Sequence, residues 1–352
     1  MPVQKNATLF FKITTVYIGA VIGAGFASGQ EIMQFFILQG QGGLYGSLLA
    51  ALLFAYLGGL VVYLSVKYST RNYKELILHL LGRKFVGLFD LLSMLTLFGG
   101  LSVMMSGSAA VFREHLGLSP LLGALTVAVF SVFVLLGGLN RVLQVNVILV
   151  PLKLAAVVTV AVAGICFYSH GFVLPPSLPD GKGVAGHWAP AGMLYVSYNM
   201  IVPFAMLSSL GAHVPVKTGV AAGVAGGLLI GLAVFLVALA GMIFYPEVAG
   251  YEVPMIILAG FQGVFVKWFL SLMIWVAMLT TAIGNVHGLA SRLSPEGGKK
   301  YVAWGTVICL LALLPATVNF SFLVRFLYPL FGYVGLLLLV SLLFGPLVKR
   351  RR

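Results

Sequence analysis

The sequence has very little charge. Only 8% of its 352 residues are charged and only eight are acidic, whereas a soluble domain carries about 25% charged residues. Hydrophobic residues make up 61% of the chain, and apolar segments long enough to cross a bilayer recur along it. The composition excludes a soluble domain and predicts an all-α polytopic membrane protein.

Residues that carry chemistry are also scarce. The two cysteines, Cys166 and Cys309, both fall in apolar segments, lack metal-ligand spacing and are too few for a disulfide framework. No nucleophile–base pair and no metal motif is visible. We therefore expect no enzyme, no catalytic residue and no cofactor. The six histidines are scattered without ligand spacing: His79, His115, His170, His187, His213 and His287.

Apolar runs predict ten transmembrane spans. Glycine-rich and proline-containing connectors such as "QGQGG" and "LSPEGGKK" separate them. The predicted spans are 9–37, 43–66, 86–112, 120–138, 142–168, 190–211, 218–245, 264–290, 300–316 and 321–347.

The net charge of +13 comes from basic residues that lie mainly between these spans and at the C-terminus. That placement argues against a nucleic acid partner and sets the orientation in the bilayer, because cytoplasmic loops are enriched in Lys and Arg. With a cytoplasmic N-terminus, sixteen basic residues lie inside and four, Arg113, Lys182, Lys267 and Arg325, lie outside. We expect a multi-pass protein of the inner (plasma) membrane with both termini cytoplasmic.

Two connectors stand out. Residues 169–189 form the longest polar stretch and divide the chain into halves of five spans, 9–168 and 190–347. An odd number of spans per half inverts the second half relative to the first, which is a common transporter architecture. Residues 246–263 are too short and broken to span, and they predict an external loop with a short helix lying over the protein.

Span one has an unusual centre, "YIGAVIGAGFASGQEIMQFF", which contains the carboxylate of Glu31. Such a segment predicts either an unwound helix or a small-residue face for helix packing. If the helix unwinds, the freed amides of residues 24–27 can receive an anion such as a substrate carboxylate. The four glycines of this stretch are Gly19, Gly23, Gly25 and Gly29.

Span six, the counterpart of span one in the second half, is interrupted as well. Ser197, Tyr198 and Asn199 precede Pro203, and proline both lacks a helical hydrogen-bond donor and clashes with the preceding turn. Interruptions at corresponding places of two inverted halves favour a shared binding site at the midplane.

Three further groups need an explanation. Glu31 is a proton carrier, a ligand for a substrate amine or a hydrated vestibule residue, and the sequence leaves these alternatives open. Lys153, deep in span five, either exchanges a proton during transport or extends to an interface. Thr280 and Thr281 in span eight either bind a hard cation or bond to carbonyls of their own helix.

Two halves of five spans with spans one and six broken resemble the LeuT fold of the amino acid–polyamine–organocation superfamily. The stretch "IGAVIGAGFASGQE" resembles the YkvI-type group of predicted bacterial amino acid permeases. The resemblance covers essentially the whole chain. It implies an amino acid bound at the span-one break by Gly23, Ala24, Gly25 and Phe26, with Ser197, Tyr198 and Asn199 of span six.

The same resemblance implies two ways of coupling. Sodium-coupled members hold the ion between span-one carbonyls and a hydroxyl pair in span eight. Proton-coupled members place a span-five lysine at the sodium position, and Lys153 resembles that lysine. We favour sodium, with proton coupling through Lys153 or Glu31 as the alternative. The matching Na⁺ ligands are the carbonyls of Gly19, Ile22 and Ala277 and the hydroxyls of Thr280 and Thr281.

The sequence therefore predicts an ion-coupled secondary transporter of a small zwitterion, most simply an amino acid. Ser102 and Ser106 of span three, with Phe26 and Tyr198, are expected to line the pocket for the substrate side chain. The alternatives are an amino-acid-binding sensor on the same fold and a proton-coupled permease. A channel fits poorly, since no ring of charge or repeated filter is evident.

Overall fold

A computed structural model describes residues 2–80, 82–137, 140–168, 183–212 and 214–348. Within these ranges the protein is helical and has no β-strand. Its α-helices are α1 (Pro2–Val21), α2 (Ala24–Ser28), α3 (Gln30–Phe35), α4 (Gly42–Lys67), α5 (Tyr73–Leu80), α6 (Arg83–Val111), α7 (Pro120–Gly137), α8 (Asn140–Ala163), α9 (Trp188–Asn199), α10 (Ile201–Ser208), α11 (Val216–Ile243), α12 (Tyr245–Val248), α13 (Pro254–Gly260), α14 (Val264–Leu293), α15 (Gly298–Leu313) and α16 (Phe320–Val348).

The helices lie where the apolar runs predict them. In the described part of the chain, seven helices are long and apolar enough to cross a bilayer, and the bent pair α9–α10 brings the number to eight if it counts as one span. Two shorter apolar stretches, Asn6–Val21 and Pro120–Leu136, belong to the predicted spans one and four. The protein is a membrane protein with several apolar spans, and the arrangement of ten spans in two inverted halves stays a prediction.

Some predicted features lie outside the described residues. Only 183–189 of the polar connector 169–189 are described, and the basic C-terminus 349–352 is not. Lys182, His170 and His213 are also outside the described ranges.

The connector 246–263 was predicted to carry a short helix, and it contains all of α13 and most of α12. An ion pair of 2.9 Å joins Arg113 at the end of α6 to Glu252 beside α13. The second carboxylate oxygen of Glu252 accepts a hydrogen bond of 3.1 Å from the first amide of α16, that of Phe320. The connector is thereby fixed to two spans.

At the opposite end of α6, a polar cluster joins the short helix α5 to the spans. The Tyr73 hydroxyl donates a hydrogen bond of 2.5 Å to Asp90, and Lys74 forms an ion pair of 2.9 Å with the same carboxylate. Partial burial and the hydrogen bond to Asp90 raise the pKa of Tyr73 to about 12. Arg292 of α14 donates to Ser93 of α6 at 2.6 Å.

Glycines let α4 and α11 approach closely. A Cβ atom at Gly223 would lie 2.6 Å from the carbonyl carbon and oxygen of Gly58 and 2.9 Å from the amide nitrogen of Gly59. Lipid is as apolar as the side chains, so membrane helices associate through such backbone-to-backbone packing rather than through hydrophobic burial. This contact holds together helices that flank the interrupted span one.

We expect Gly223→Ala to lower the free energy of unfolding by about 1–3 kcal/mol, because the added methyl must push two backbones apart. The matched control is Gly284→Ala in α14, where a Cβ atom meets nothing within 4 Å. The measurement is the melting temperature of each purified variant in detergent. Equal melting temperatures for the two variants would contradict this account of the α4–α11 contact.

Candidate functional site

Span one is interrupted at residues 22–23. α1 ends at Val21 and α2 begins at Ala24, and Gly23 between them has an extended backbone (φ −87°, ψ −171°). The amide of Gly23 donates to the carbonyl of Val21 at 2.9 Å, which replaces the helical hydrogen-bonding pattern. The first amides of α2, those of Ala24, Gly25 and Phe26, have no partner within their own helix, as at any helix start. All three residues are buried.

A second interruption at Gly29 follows at once and was not predicted. Gly29 has a left-handed backbone (φ 80°), ends α2 and starts α3. Only glycine adopts this conformation without strain. The site is crowded as well, since a Cβ atom here would lie 2.8 Å from Cγ of Met255 in α13. The turn sets the direction of α3, which carries Glu31.

Span six bends by 45° between α9 and α10, at Met200. Pro203 lacks an amide proton, so the carbonyl of Asn199 has no donor one turn later. Ser197 donates to the carbonyl of Gly332 in α16 at 2.7 Å, and the side-chain amide of Asn199 donates to the carbonyl of Tyr195 at 3.1 Å. These two predicted residues thus bond to α16 and to their own helix.

Tyr198 of span six forms a hydrogen bond with span one. Its hydroxyl donates a short hydrogen bond to Oε2 of Glu31. The other carboxylate oxygen, Oε1, packs so closely against Gly25 that a Cβ atom there would collide with it. Glu31 is only 5% exposed. The structure therefore places this carboxylate beside the break, on a buried residue.

Aromatic rings surround the hydrogen bond. The ring of Tyr198 lies 4.9 Å from that of Tyr328 in α16 and 5.6 Å from those of Phe35 and Tyr195, measured between centroids. The hydroxyl of Tyr328 would be 3.0 Å from a Cβ atom at Gly25. Sequence reasoning missed Phe35, Tyr195 and Tyr328, because aromatic residues in apolar spans carry no mark that separates a site from ordinary packing.

Lys153 of α8 lies close to the same region and is 4% exposed. One turn earlier, Val150 packs against Gly19 of α1, where a Cβ atom would be 3.0 Å from its Cγ1. α8 packs against both α1 and α2 of span one. The two predicted proton-coupling candidates, Glu31 and Lys153, are both buried residues.

The predicted cation ligands of α14 bond to their own helix. Both Thr280 and Thr281 donate to the carbonyl of Ala277, at 3.2 and 2.8 Å. α14 packs against α2 and α8. In span one, the amide of Ile22, another predicted cation ligand, donates to the carbonyl of Ile18 at 2.8 Å. No described hydrogen bond connects the threonines to span one.

The two serines of span three have separate surroundings. Ser102 donates to the carbonyl of Phe98 in its own helix at 3.2 Å. Ser106 donates to the carbonyl of Val318 at 2.6 Å and lines a cavity of about 190 Å³ together with Arg113 and Glu252. Neither serine bonds to the Glu31–Tyr198 pair in the described structure.

We expect Gly25→Ala to lower the free energy of unfolding by about 1–3 kcal/mol, since the new methyl would displace the Glu31 carboxylate from Tyr198. Gly23→Ala is the matched control in the same break, because a Cβ atom there meets nothing within 4 Å. The measurement is the melting temperature of each purified variant compared with that of the wild-type protein. A Gly23→Ala variant as unstable as Gly25→Ala would show that the break itself, not the carboxylate contact, demands glycine.

No family model matches the chain. Two proteins of Bacillus subtilis (strain 168) are similar over nearly its full length. The uncharacterized membrane protein YkvI is 28% identical over 347 residues, which cover 97% of each chain. The uncharacterized protein YyaD is 28% identical over 341 residues, which cover 95% of this chain and 96% of YyaD. The predicted resemblance to YkvI is confirmed as a full-length likeness.

Solved structures of transporters share the fold. The manganese transporter of Eremococcus coleocola has a TM-score of 0.61 at 15% identity, over 94% of this chain and 77% of that one. Mhp1 in its inward-facing conformation has a TM-score of 0.59 at 16% identity, over 97% and 77%. A Na⁺-coupled sialic acid symporter has a TM-score of 0.56 at 12% identity, over 92% and 75%. The chain shares the overall helical fold of these transporters, as the predicted resemblance implies.

Proposed function

We propose that the protein is a secondary active transporter that carries a small zwitterion, an amino acid, across the plasma membrane by alternating access. The observation that supports this best is the direct contact of the two interrupted spans, in which Tyr198 of span six donates a hydrogen bond to Glu31 of span one. Transporters built from inverted repeats bind their substrates where such discontinuous helices meet. In this proposal residues 9–168 and 190–347 are the two repeats, and both termini are cytoplasmic.

The fold alone does not identify the transported substrate. One neighbour is named as a transporter of manganese and another as a symporter of sialic acid, so the choice of cargo has to come from the site. The break offers an organic zwitterion buried backbone amides at Ala24, Gly25 and Phe26 for its carboxylate, and Tyr198 close by.

For the coupling ion we propose Na⁺, in symport with the substrate. The carbonyl of Ala277 and the hydroxyls of Thr280 and Thr281 are already gathered within 3.2 Å, and oxygen atoms of this kind suit a hard cation. Gly19 and Ile22 would add carbonyls from span one. A charged Lys153 within this set of ligands would repel Na⁺, so the proposal requires its ammonium to lie outside the set.

Proton coupling is the second candidate, and it is favoured by two buried ionisable side chains, those of Lys153 and Glu31. Burial shifts the pKa of such groups, so either could exchange a proton when the site opens. The two candidates differ in the gradient that drives uptake.

The test is uptake and counterflow of the proteinogenic amino acids by the protein in liposomes, under a Na⁺ gradient or a pH gradient. We expect a Na⁺ gradient to drive uptake and Thr281→Ala to reduce that stimulation by roughly tenfold, equivalent to about 1.4 kcal/mol of lost ion binding. Thr306→Ala is the control, because Thr306 makes the same kind of bond, 2.9 Å to the carbonyl of Val302, in α15.

Other outcomes have clear meanings. Uptake that is independent of Na⁺, is driven by the pH gradient and is lost in Lys153→Ala would contradict Na⁺ coupling and support proton coupling. Tight amino acid binding without any counterflow would overturn the transport proposal in favour of a sensor.

A further inference from the structure

The connection between α4 and α6 lies at one face of the bilayer and is rich in positive charge. One apolar span ends at Lys67 and the next begins at Phe85, so the residues between them lie at the level of the lipid headgroups. Residues 67–90 contain only two acidic residues, Glu75 and Asp90, beside five basic ones. The basic residues are Lys67, Arg71, Lys74, Arg83 and Lys84.

The short helix α5 and the start of α6 enclose an open groove of about 950 Å³. Lys74 and Leu78 line it from α5, and Arg83 and Gly87 line it from α6. Gly87 contributes no side chain, and a Cβ atom there would meet nothing within 4 Å. The groove therefore has room for a molecule beside the two basic side chains.

Both carboxylates of this region are engaged within the protein. Glu75 accepts a hydrogen bond of 2.7 Å from the side-chain amide of Asn72 and one of 2.8 Å from the backbone amide of Arg71. Asp90 binds the hydroxyl of Tyr73 and the ammonium of Lys74. Two carboxylates among five basic residues leave the region with an excess of positive charge.

The basic groups of the groove keep free donors. Lys74 gives one of its three N–H donors to Asp90 at 2.9 Å, and its side chain is 54% exposed. Arg83 is exposed and has no hydrogen bond or ion pair with any described residue. Arg83 and Asp90 are about two turns apart on one face of α6, roughly 10 Å along its axis. Asp90 thus holds the Lys74 ammonium on the face that carries Arg83.

An apolar stripe continues from the groove into the membrane. Gly87, Leu91 and Leu95 follow one another at intervals of four residues on α6, so they are neighbours on its surface. Leu91 and Leu95 are 56% and 55% exposed, and both belong to the apolar span Phe85–Leu116. A molecule whose polar end lies in the groove can extend an acyl chain along this stripe.

We propose that this groove binds an anionic phospholipid, with its phosphate at Lys74 and Arg83 and an acyl chain along Leu91 and Leu95. Phosphate oxygens accept strong charge-assisted hydrogen bonds, and the planar fork of arginine matches them. A choline headgroup would add a positive charge to a region that already has an excess, which Coulomb repulsion disfavours. The groove is separate from the interrupted spans and independent of the transported substrate.

The experiment titrates the full-length protein in detergent with phosphatidylglycerol or phosphatidylcholine and measures the dissociation constant of the first bound lipid by native mass spectrometry. One basic residue near a lipid surface corresponds to about fivefold in affinity. With two basic residues at the groove, we expect wild type to prefer phosphatidylglycerol by roughly 25-fold.

Arg83→Gln should weaken phosphatidylglycerol binding about fivefold and leave phosphatidylcholine binding unchanged, whereas Arg83→Lys should retain most of the preference. The melting temperature of Arg83→Gln should match wild type without added lipid, since the side chain is exposed and unbonded. The matched control is Lys217→Gln, which removes an exposed basic residue at the start of α11 and should not alter the preference.

A second pair of variants tests the groove without changing its charge. Gly87→Phe should fill the groove and weaken phosphatidylglycerol binding at least fivefold. Gly284→Phe is its control, because Gly284 is an exposed glycine of α14 where a Cβ atom also meets nothing within 4 Å.

Three results would overturn the proposal. The first is a wild-type protein that binds the two lipids equally. The second is an equal loss in Arg83→Gln and Lys217→Gln, which would assign the preference to diffuse surface charge. The third is displacement of the lipid by an equal concentration of glycerol 3-phosphate, which would make the groove a site for a soluble phosphate.

Discussion

The hydrogen bond between Tyr198 and Glu31 depends on the interruptions of both spans. In a continuous helix, Gly25 and Glu31 would be separated by about 9 Å along the axis, and the carboxylate could not return to the glycine. The left-handed turn at Gly29 removes that separation by starting a new helix. Irregular backbone at this depth survives in a bilayer only where protein or water meets its polar groups, so the rest of the molecule has to enclose this segment.

The enclosing helices come from both halves of the chain. α8 supplies Lys153, α9 supplies Tyr198, and α16 supplies Tyr328 and the Gly332 carbonyl that fixes Ser197. The glycine contact between α4 and α11 holds the neighbouring helices at a backbone-to-backbone distance. Polar contacts around this segment are thus accompanied by polar clusters at the two ends of α6, while α4 and α11 pack through their glycines.

Much of this arrangement could be predicted from the sequence, because its causes are local. Apolar length predicts the helices, the glycine spacing near Gly23 predicts the first break, and Pro203 predicts the bend of span six. The self-bonding of Thr280 and Thr281 was one of two alternatives for that pair. Local causes also explain the short helices within 246–263.

The environment of Glu31 could not be predicted, since it depends on where the chain turns at Gly29. A glycine in a run of small residues does not reveal which one adopts a left-handed backbone. The residues around it, Tyr198 and Tyr328, come from two distant helices. Their meeting is a property of tertiary packing, so the sequence allowed several roles for Glu31 and favoured none.

The contact between Gly29 and Met255 links the loop helices to the centre of the protein. The turn that directs α3, and with it Glu31, is the surface on which α13 rests. α13 is in turn attached beside Glu252 to Arg113 and to the start of α16. A displacement of α13 would therefore remove a steric contact from the turn that directs Glu31.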